Sequence, residues 1–289
     1  MVKGGMMAVK LIGLDLDGTT LRDDHTLSDY NRKAIEDAAE RGILVAIATG
    51  RVFSALPSAV KDLKAIKYAV TSNGGRITDL GRDKTLFTSF IDAEAVEQAL
   101  CLARAGDFSV EIFTDGKAYI DARSYLDFRD GKADYRNAEY IVNTRIPCED
   151  IFDFTEKNKD RIENISFFFK TEEERKAYKP TADTVKNATV VSSLKNNIEI
   201  GGSETSKKVG LEFLARMRGI EPSEVMCIGD APNDAPMIAF AGVGVAMGNA
   251  WDEAKAVADH ITNTNENDGV GKAIRKWALE ENDHRFFNF

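Results

Sequence analysis

The stretch LIGLDLDGTT, residues 11–20, opens as an apolar run and stops at two carboxylates one residue apart, Asp15 and Asp17, with Gly18 next in line. Unbroken apolar character over a few residues predicts a strand covered on both faces, as in a parallel sheet. The runs ILVAIAT (43–49), YAVTS (68–72), VMCIGD (225–230) and VGVAM (243–247) share it. Helices are predicted between them. Ser28 stands as N-cap of a helix reaching Arg41, with Gly42 at its C′ position; Leu211, Phe213, Leu214 and Met217 give SKKVGLEFLARMRG (206–219) an apolar side that ends at Gly219. Strand, helix and strand in this order predict right-handed crossovers and a doubly wound parallel α/β sheet.

The middle of the chain has a different texture. TLFTSF (85–90), FSVEIF (108–113), KAYIDA (117–122), NISFFFK (164–170) and ATVVSSL (188–194) are strand candidates, with helical segments at 92–106 and 171–178 and a concentration of aromatics. This predicts a second, α+β domain over residues 83–201, inserted into a core made of 1–82 and 202–289. The borders fall at LGRD (80–83) and GGSET (201–205), both rich in loop formers.

Composition narrows the function. With 43% hydrophobic and 29% charged residues the chain is globular rather than disordered or fibrous. Its net charge is −9, and no block of Lys and Arg stands out, so the concentrated basic face that nucleic acid demands is not expected. Cys101, Cys148 and Cys227 are widely spaced, without CxxC pairing; buried free thiols in a reducing cytoplasm are the expectation. No apolar run reaches membrane-spanning length, so no membrane partner is expected either, and the first few residues read as a loose end.

In an open α/β sheet, ligands bind outside the carboxyl ends of the strands. The predicted strands end at Asp15, Thr49, Ser72 and Asp230, polar residues followed at once or nearly so by Gly or Asn. Any one of these is an ordinary turn former. Together they describe a site for something charged. Asp15 and Asp17 repel one another unless a proton or a cation lies between them, and with Asp230 arriving from another strand an all-oxygen site suited to Mg²⁺ is available. A magnesium site beside glycine turns points to phosphate chemistry. Asp15, at the strand tip, is the candidate nucleophile, and Asp17 the acid that protonates a departing alkoxide and then the base that activates water. Gly18 lets the chain turn around a phosphoryl group. Thr49 offers a hydroxyl, Gly50 close backbone approach, and Lys207 a fixed positive charge.

At this point the residues resemble the haloacid dehalogenase superfamily. DLDGTTL (15–21) is similar to its first motif, ATGR (48–51) to its second, Lys207 to its lysine motif and GDAPND (229–234) to its final acidic motif. SNGG (72–75), AFAGVGVAMGNA (239–250) and NENDGVGKAI (265–274) further resemble the Cof-type phosphatases, sugar-phosphate phosphatases with a large α/β cap between the second and third motifs. The resemblance implies a Rossmann-like core with an inserted cap, and a phosphohydrolase that forms a phosphoaspartate at Asp15. It implies Mg²⁺ held by the Asp15 carboxylate, the Asp17 backbone carbonyl and the Asp230 carboxylate, with Asp234 supporting the metal or the lysine. It also places Asn233 and Arg51 with the substrate-binding residues beside Gly50, and Leu16 there through its backbone alone. Two departures stand out: Lys208 where Gly usually follows the lysine, and Ala231-Pro232 in the final motif, with Pro232 expected in a helix's first turn.

The implied substrate is a small phosphorylated metabolite, most commonly a sugar phosphate, and the implied protein a monomer or weak homodimer. A phosphomutase using the same aspartyl chemistry and a non-catalytic phosphometabolite sensor are the alternatives. A dehalogenase is disfavoured, because attack on carbon needs neither an acid at Asp17 nor a metal. In the cap, Asp115, Lys117, Arg123 and Asn197 are candidates for substrate choice, although Asp115-Gly116 reads more simply as a hairpin turn and Phe167, Phe168 and Phe169 as packing.

Overall fold

A computed structural model describes residues 8–280. The expected loose end at the amino terminus lies almost wholly outside that span. In chain order the strands are β1 (Leu11–Leu14), β2 (Leu44–Ala48), β3 (Ile66–Thr71), β4 (Arg76–Asp79), β5 (Lys84–Thr88), β6 (Ser109–Thr114), β7 (Lys117–Asp121), β8 (Arg145–Cys148), β9 (Ile162–Phe168), β10 (Ala188–Val191), β11 (Asn197–Gly202), β12 (Val225–Gly229), β13 (Val243–Ala246) and β14 (His260–Ile261). They form two sheets.

The larger runs β14-β13-β12-β1-β2-β3-β4-β5, parallel from β14 through β3. Its faces follow the period of two along each strand. Ile12, Leu14, Val45, Ile47, Met226 and Ile228 pack on one side under the helix Asp29–Glu40 and the segments after Gly269. Leu11, Ala46, Ala48, Val225 and Cys227 pack on the other against Leu211 and Leu214 of the helix Lys207–Arg218. Both helices have the predicted ends: Ser28 accepts from the Asn31 amide at 3.1 Å, and Gly219 closes the second with φ +64°.

The smaller sheet, β10-β11-β9-β6-β7-β8, is antiparallel except between β7 and β8, and has an apolar cluster of its own built on Ile112, Ile165, Phe167 and Ile200. The expected border after residue 82 needs correction. Lys84–Thr88 pairs antiparallel with β4 and extends the larger sheet, because the tight turn after Asp79 folds it straight back. The Asp115-Gly116 hairpin turn is present, with both residues at positive φ. It also docks the two sheets: the Gly116 amide donates to Glu163 of β9 at 3.0 Å, and the same buried carboxylate takes Arg76 of β4 at 2.7 Å. Of the cysteines only Cys227 is buried; Cys101 is exposed and Cys148 half-buried, all three free. Among the described residues no helix is long and apolar enough to cross a membrane.

Candidate active site

Strand order reverses at β1, with β2 on one side and β12 on the other, so the carboxyl tips of these three strands open a crevice between diverging connections. Asp15 follows β1 directly, its amide donating to the Ile228 carbonyl at 3.0 Å, and Asp230 follows β12. The carboxylates of Asp15, Asp230 and Asp234 bring an oxygen each to within 4.8 Å of one another. Lys207, in the first turn of its helix and 2% exposed along its side chain, donates to Asp15 Oδ1 and Asp234 Oδ1, both at 2.6 Å.

Three carboxylates and one ammonium, which pairs with two of them, leave negative charge in excess. Burial, then the charge of Asp234, raises Asp15 well above the usual carboxylate range, against the pull of Lys207. Burial and Asp234 likewise push Asp230 up to about 6. The donor set fits Mg²⁺, since hard oxygens converge where burial makes uncompensated charge costly. Asp234 is used up differently. Its Oδ2 accepts from the amides of Asp230 and Ala231 at 3.0 Å each while Oδ1 takes Lys207, so it orients the site rather than offering a free ligand atom. Asp230 is oriented by the Thr19 hydroxyl at 2.7 Å. Gly18 is at φ +74°, and a Cβ there would lie 2.6 Å from Asp230 Oδ2, so only glycine lets the Asp17–Thr19 turn close over that carboxylate.

Asp17 is half-buried and turned away from the carboxylate cluster. Arg51 holds it bidentately, Nε to Oδ2 at 2.7 Å and Nη2 to Oδ1 at 2.5 Å, with His25 3.6 Å away. Against the opposing effect of burial, Arg51 and His25 keep its carboxyl far below the ordinary range. Arg51, expected to face substrate, is thus engaged with Asp17, because a guanidinium fork matches a carboxylate edge. Thr49 and Gly50 lie at the tip of β2. The Thr49 hydroxyl accepts from the Arg51 amide at 3.1 Å, and a Cβ on Gly50 would come 3.1 Å from Glu199 of β11. Asn233 Nδ2 donates to Asn73 at 2.9 Å, whereas Asn233 Oδ1, Asn73 Nδ2 and Glu199 Oε2 are buried without a partner. The Leu16 side chain is fully buried in the core, leaving only its backbone for the crevice. Two other expectations change. Lys208 turns away to Glu212 at 3.4 Å, and Pro232 lies in the turn before the helix Ala235–Phe240, whose first turn holds Pro236 instead.

Above these residues the smaller sheet and its loops close a cavity of about 270 Å³ that Asp15, Asp17, Thr49, Gly50, Lys207 and Asn233 line from below. Its upper wall was largely invisible in the sequence. Of the four cap candidates only Asn197 lines it; Asp115, Lys117 and Arg123 are exposed elsewhere. Tyr135, Arg136, Tyr140, Arg145, Phe168 and Glu199 are among the residues that join it. Phe168 corrects the expectation of simple packing: strand alternation buries Phe167 and Phe169 against Phe108, while Phe168 faces the cavity under the Arg136 guanidinium, 3.4 Å from its ring centre. The only hint was the cluster of aromatic and arginine residues at 135–145.

A haloacid dehalogenase-like hydrolase family matches residues 12–274 of this chain. The chain is 32% identical over 271 residues to the 5-amino-6-(5-phospho-D-ribitylamino)uracil phosphatase YcsE of Bacillus subtilis, covering 94% of this chain and 96% of the relative. It is 28% identical to phosphatase YwpJ of the same organism, over 92% and 99% of the two chains. Among solved structures, a haloacid dehalogenase-like hydrolase from B. subtilis superposes with a TM-score of 0.81 at 29% identity, covering 92% of this chain and 99% of that one. A phosphatase of the same superfamily from Bacteroides thetaiotaomicron superposes with a TM-score of 0.77 at 27% identity, covering 96% and 98%. The chain belongs to the haloacid dehalogenase-like hydrolases, in their Cof-type branch. Within that family it is a phosphatase.

Proposed function

We propose that this protein is a Mg²⁺-dependent phosphomonoesterase that hydrolyses small sugar or polyol phosphates through a phosphoaspartate at Asp15. The observation that carries the reading is the buried cluster of Asp15, Asp230 and Asp234, with Lys207 bridging Asp15 and Asp234, facing the cavity. Asp15, Asp230 and the backbone carbonyl of Asp17 would hold the ion, with Asp234 behind them. Bound there, Mg²⁺ supplies positive charge for the transferring phosphoryl oxygens.

Lys207 fixes the Asp15 carboxylate at the strand tip and adds a positive charge beside the attacked phosphorus. Asp15 attacks in line; Thr49, Gly50 and Asn233 orient the phosphate from the β2 and β12 sides. Asp17 protonates the leaving oxygen and then takes a proton from the hydrolytic water. In the arrangement described, Arg51 holds Asp17 ionised, so the carboxylate must leave this pair before it can act as an acid. The incoming phosphate gives Arg51 another anion. The chain from 89 to 201 acts as the cap, tied to the core through Glu163 and excluding water over the leaving group. The relatives named for a ribitylaminouracil phosphate act on a polyol phosphate bearing a heterocycle, which supports the same substrate class.

The test is phosphate release from a panel of sugar, polyol and nucleotide phosphates, with Mg²⁺ and with chelator. Release that requires Mg²⁺ and is lost in Asp15→Asn is the expected result. Release that survives the substitution would move the nucleophile elsewhere.

A further inference from the structure

The upper wall of the cavity holds an arrangement that phosphate transfer does not use. Glu111, on β6, is fully buried and receives two guanidinium groups: Arg136 at 2.7 Å, and Arg145 at 2.9 Å and 3.1 Å. Among the described residues no other carboxylate lies within ion-pairing distance of either arginine. Two cations share the one carboxylate they touch; Glu199, the other acid of this wall, forms an ion pair with neither, so at contact distance the pair is one negative charge short. Both side chains are nearly buried, 7% and 4% exposed, and both line the cavity.

Packing of this kind fixes the position of the charge without neutralising it. Arg136 lies flat on Phe168, 3.4 Å from the ring centre, and Arg145 lies over Tyr140 at 4.7 Å. The opposite side of this wall gives no relief, because Arg51, 4.9 Å from the same Tyr140 ring, is already matched by Asp17. A guanidinium so nearly buried and not fully compensated is costly unless an anion or a strong acceptor joins it. Arg145 spends its donors on Glu111 and Thr144, whereas Arg136 makes an ion pair with Glu111 and its buried Nη1 has no hydrogen-bond partner, so Arg136 is the one with donors to give.

We propose that the Arg136–Arg145–Glu111 cluster is the recognition site for the far end of the substrate, and that this end carries an anionic oxygen group, a carboxylate or a second phosphoryl. The inference rests on the phosphomonoesterase reading of the floor and narrows its substrate class from neutral sugar phosphates to phosphorylated sugar acids and their bisphosphate analogues. Phe168 and Tyr140 hold the guanidinium planes so that a planar carboxylate meets a preset fork.

The test is calorimetric titration of the Asp15→Asn protein in Mg²⁺ with two ligands of one carbon skeleton, gluconate 6-phosphate and glucitol 6-phosphate. The expected result is at least tenfold tighter binding of gluconate 6-phosphate at low salt. That margin shrinks as salt rises, falls to less than threefold when Arg136→Gln is added, and is partly restored by Arg136→Lys, which keeps the charge and loses the fork. Equal affinity of the two ligands, or a preference unchanged in Arg136→Gln, would overturn the proposal. The comparison of ligands in the Asp15→Asn protein reads the proposal even if the Arg136 variants do not fold. Failure of the phosphatase reading shows separately, as no phosphate release from any ester by the wild-type protein.

Discussion

The two ends of the cavity carry opposite charge imbalances. At the floor, Asp15, Asp230 and Asp234 converge with one ammonium between two of them; at the roof, Arg136 and Arg145 share one carboxylate. Each end is held by contacts shorter than 3 Å, so neither imbalance is relieved by loose surface screening. The floor is built from the tips of parallel strands and a helix start, elements that cannot shift without disturbing the core. The roof is built from a loop, a short helix and strands of the smaller sheet, with guanidinium groups stacked on rings. The lesson is a division of labour. A rigid excess of negative charge suits a dication and the phosphate it neutralises, and a separate excess of positive charge suits whatever the phosphate is attached to.

The comparison breaks first at Asp15. Asp15→Asn should lower turnover by more than about a thousandfold in a phosphate-release assay, since no neighbouring oxygen can replace the nucleophile. Asp17→Asn should cost about a hundredfold or more in kcat, and least for esters whose leaving group needs no proton. A leaving-group series that shows an equal loss throughout would sink the acid role.

Stability sharpens the contrast next. Phe167→Ala, in the apolar cluster of the smaller sheet, should destabilise the protein by about 3–5 kcal/mol in denaturant unfolding. The pH response should differ in sign between the ends. Asp230 is raised to about 6 from 3.8, so between those values the folded protein binds more protons than the unfolded chain, and metal-free stability falls as pH rises from about 4 to about 6. Mg²⁺ should therefore raise Tm more at pH 7 than at pH 5, and Asp230→Asn should flatten that part of the profile. Glu111 behaves oppositely. The two arginines hold it below its ordinary 4.5 despite burial, so its contribution is present above that pH and is lost as pH falls below it. Thermal melts across this range, with and without chelator, check both slopes. The smallest effect is expected outside the cavity lining: Ser28→Ala removes one cap hydrogen bond and should cost about 1 kcal/mol.

Much of the floor was legible in the chain because strand tips report themselves. An apolar run ended by a polar residue with Gly or Asn close behind marks both the element and the point where it opens, and Asp15, Thr49 and Asp230 carry that signature. Arg51 marks the limit of local reading: nothing in ATGR says that its guanidinium, at the cavity wall, meets Asp17, 34 positions earlier. The roof left almost no trace. Arg136 and Arg145 sit in a mixed stretch of aromatic, aliphatic and polar residues and become partners only through Glu111, on β6. Lys84–Thr88 read as the start of the cap because its pairing with β4 depends on a turn rather than on its own composition.

Sequence alone determined the doubly wound core, the order of its strands along the chain and the acids at their tips, because period, caps and strand ends are local properties of neighbouring residues. Only the tertiary structure decided which charges meet across the cavity, that Asp234 is spent on Lys207 and two amides, and that the cap arginines outnumber their carboxylate. Those are sums over residues far apart in the chain, and electrostatic balance in a closed space is set by distance in three dimensions.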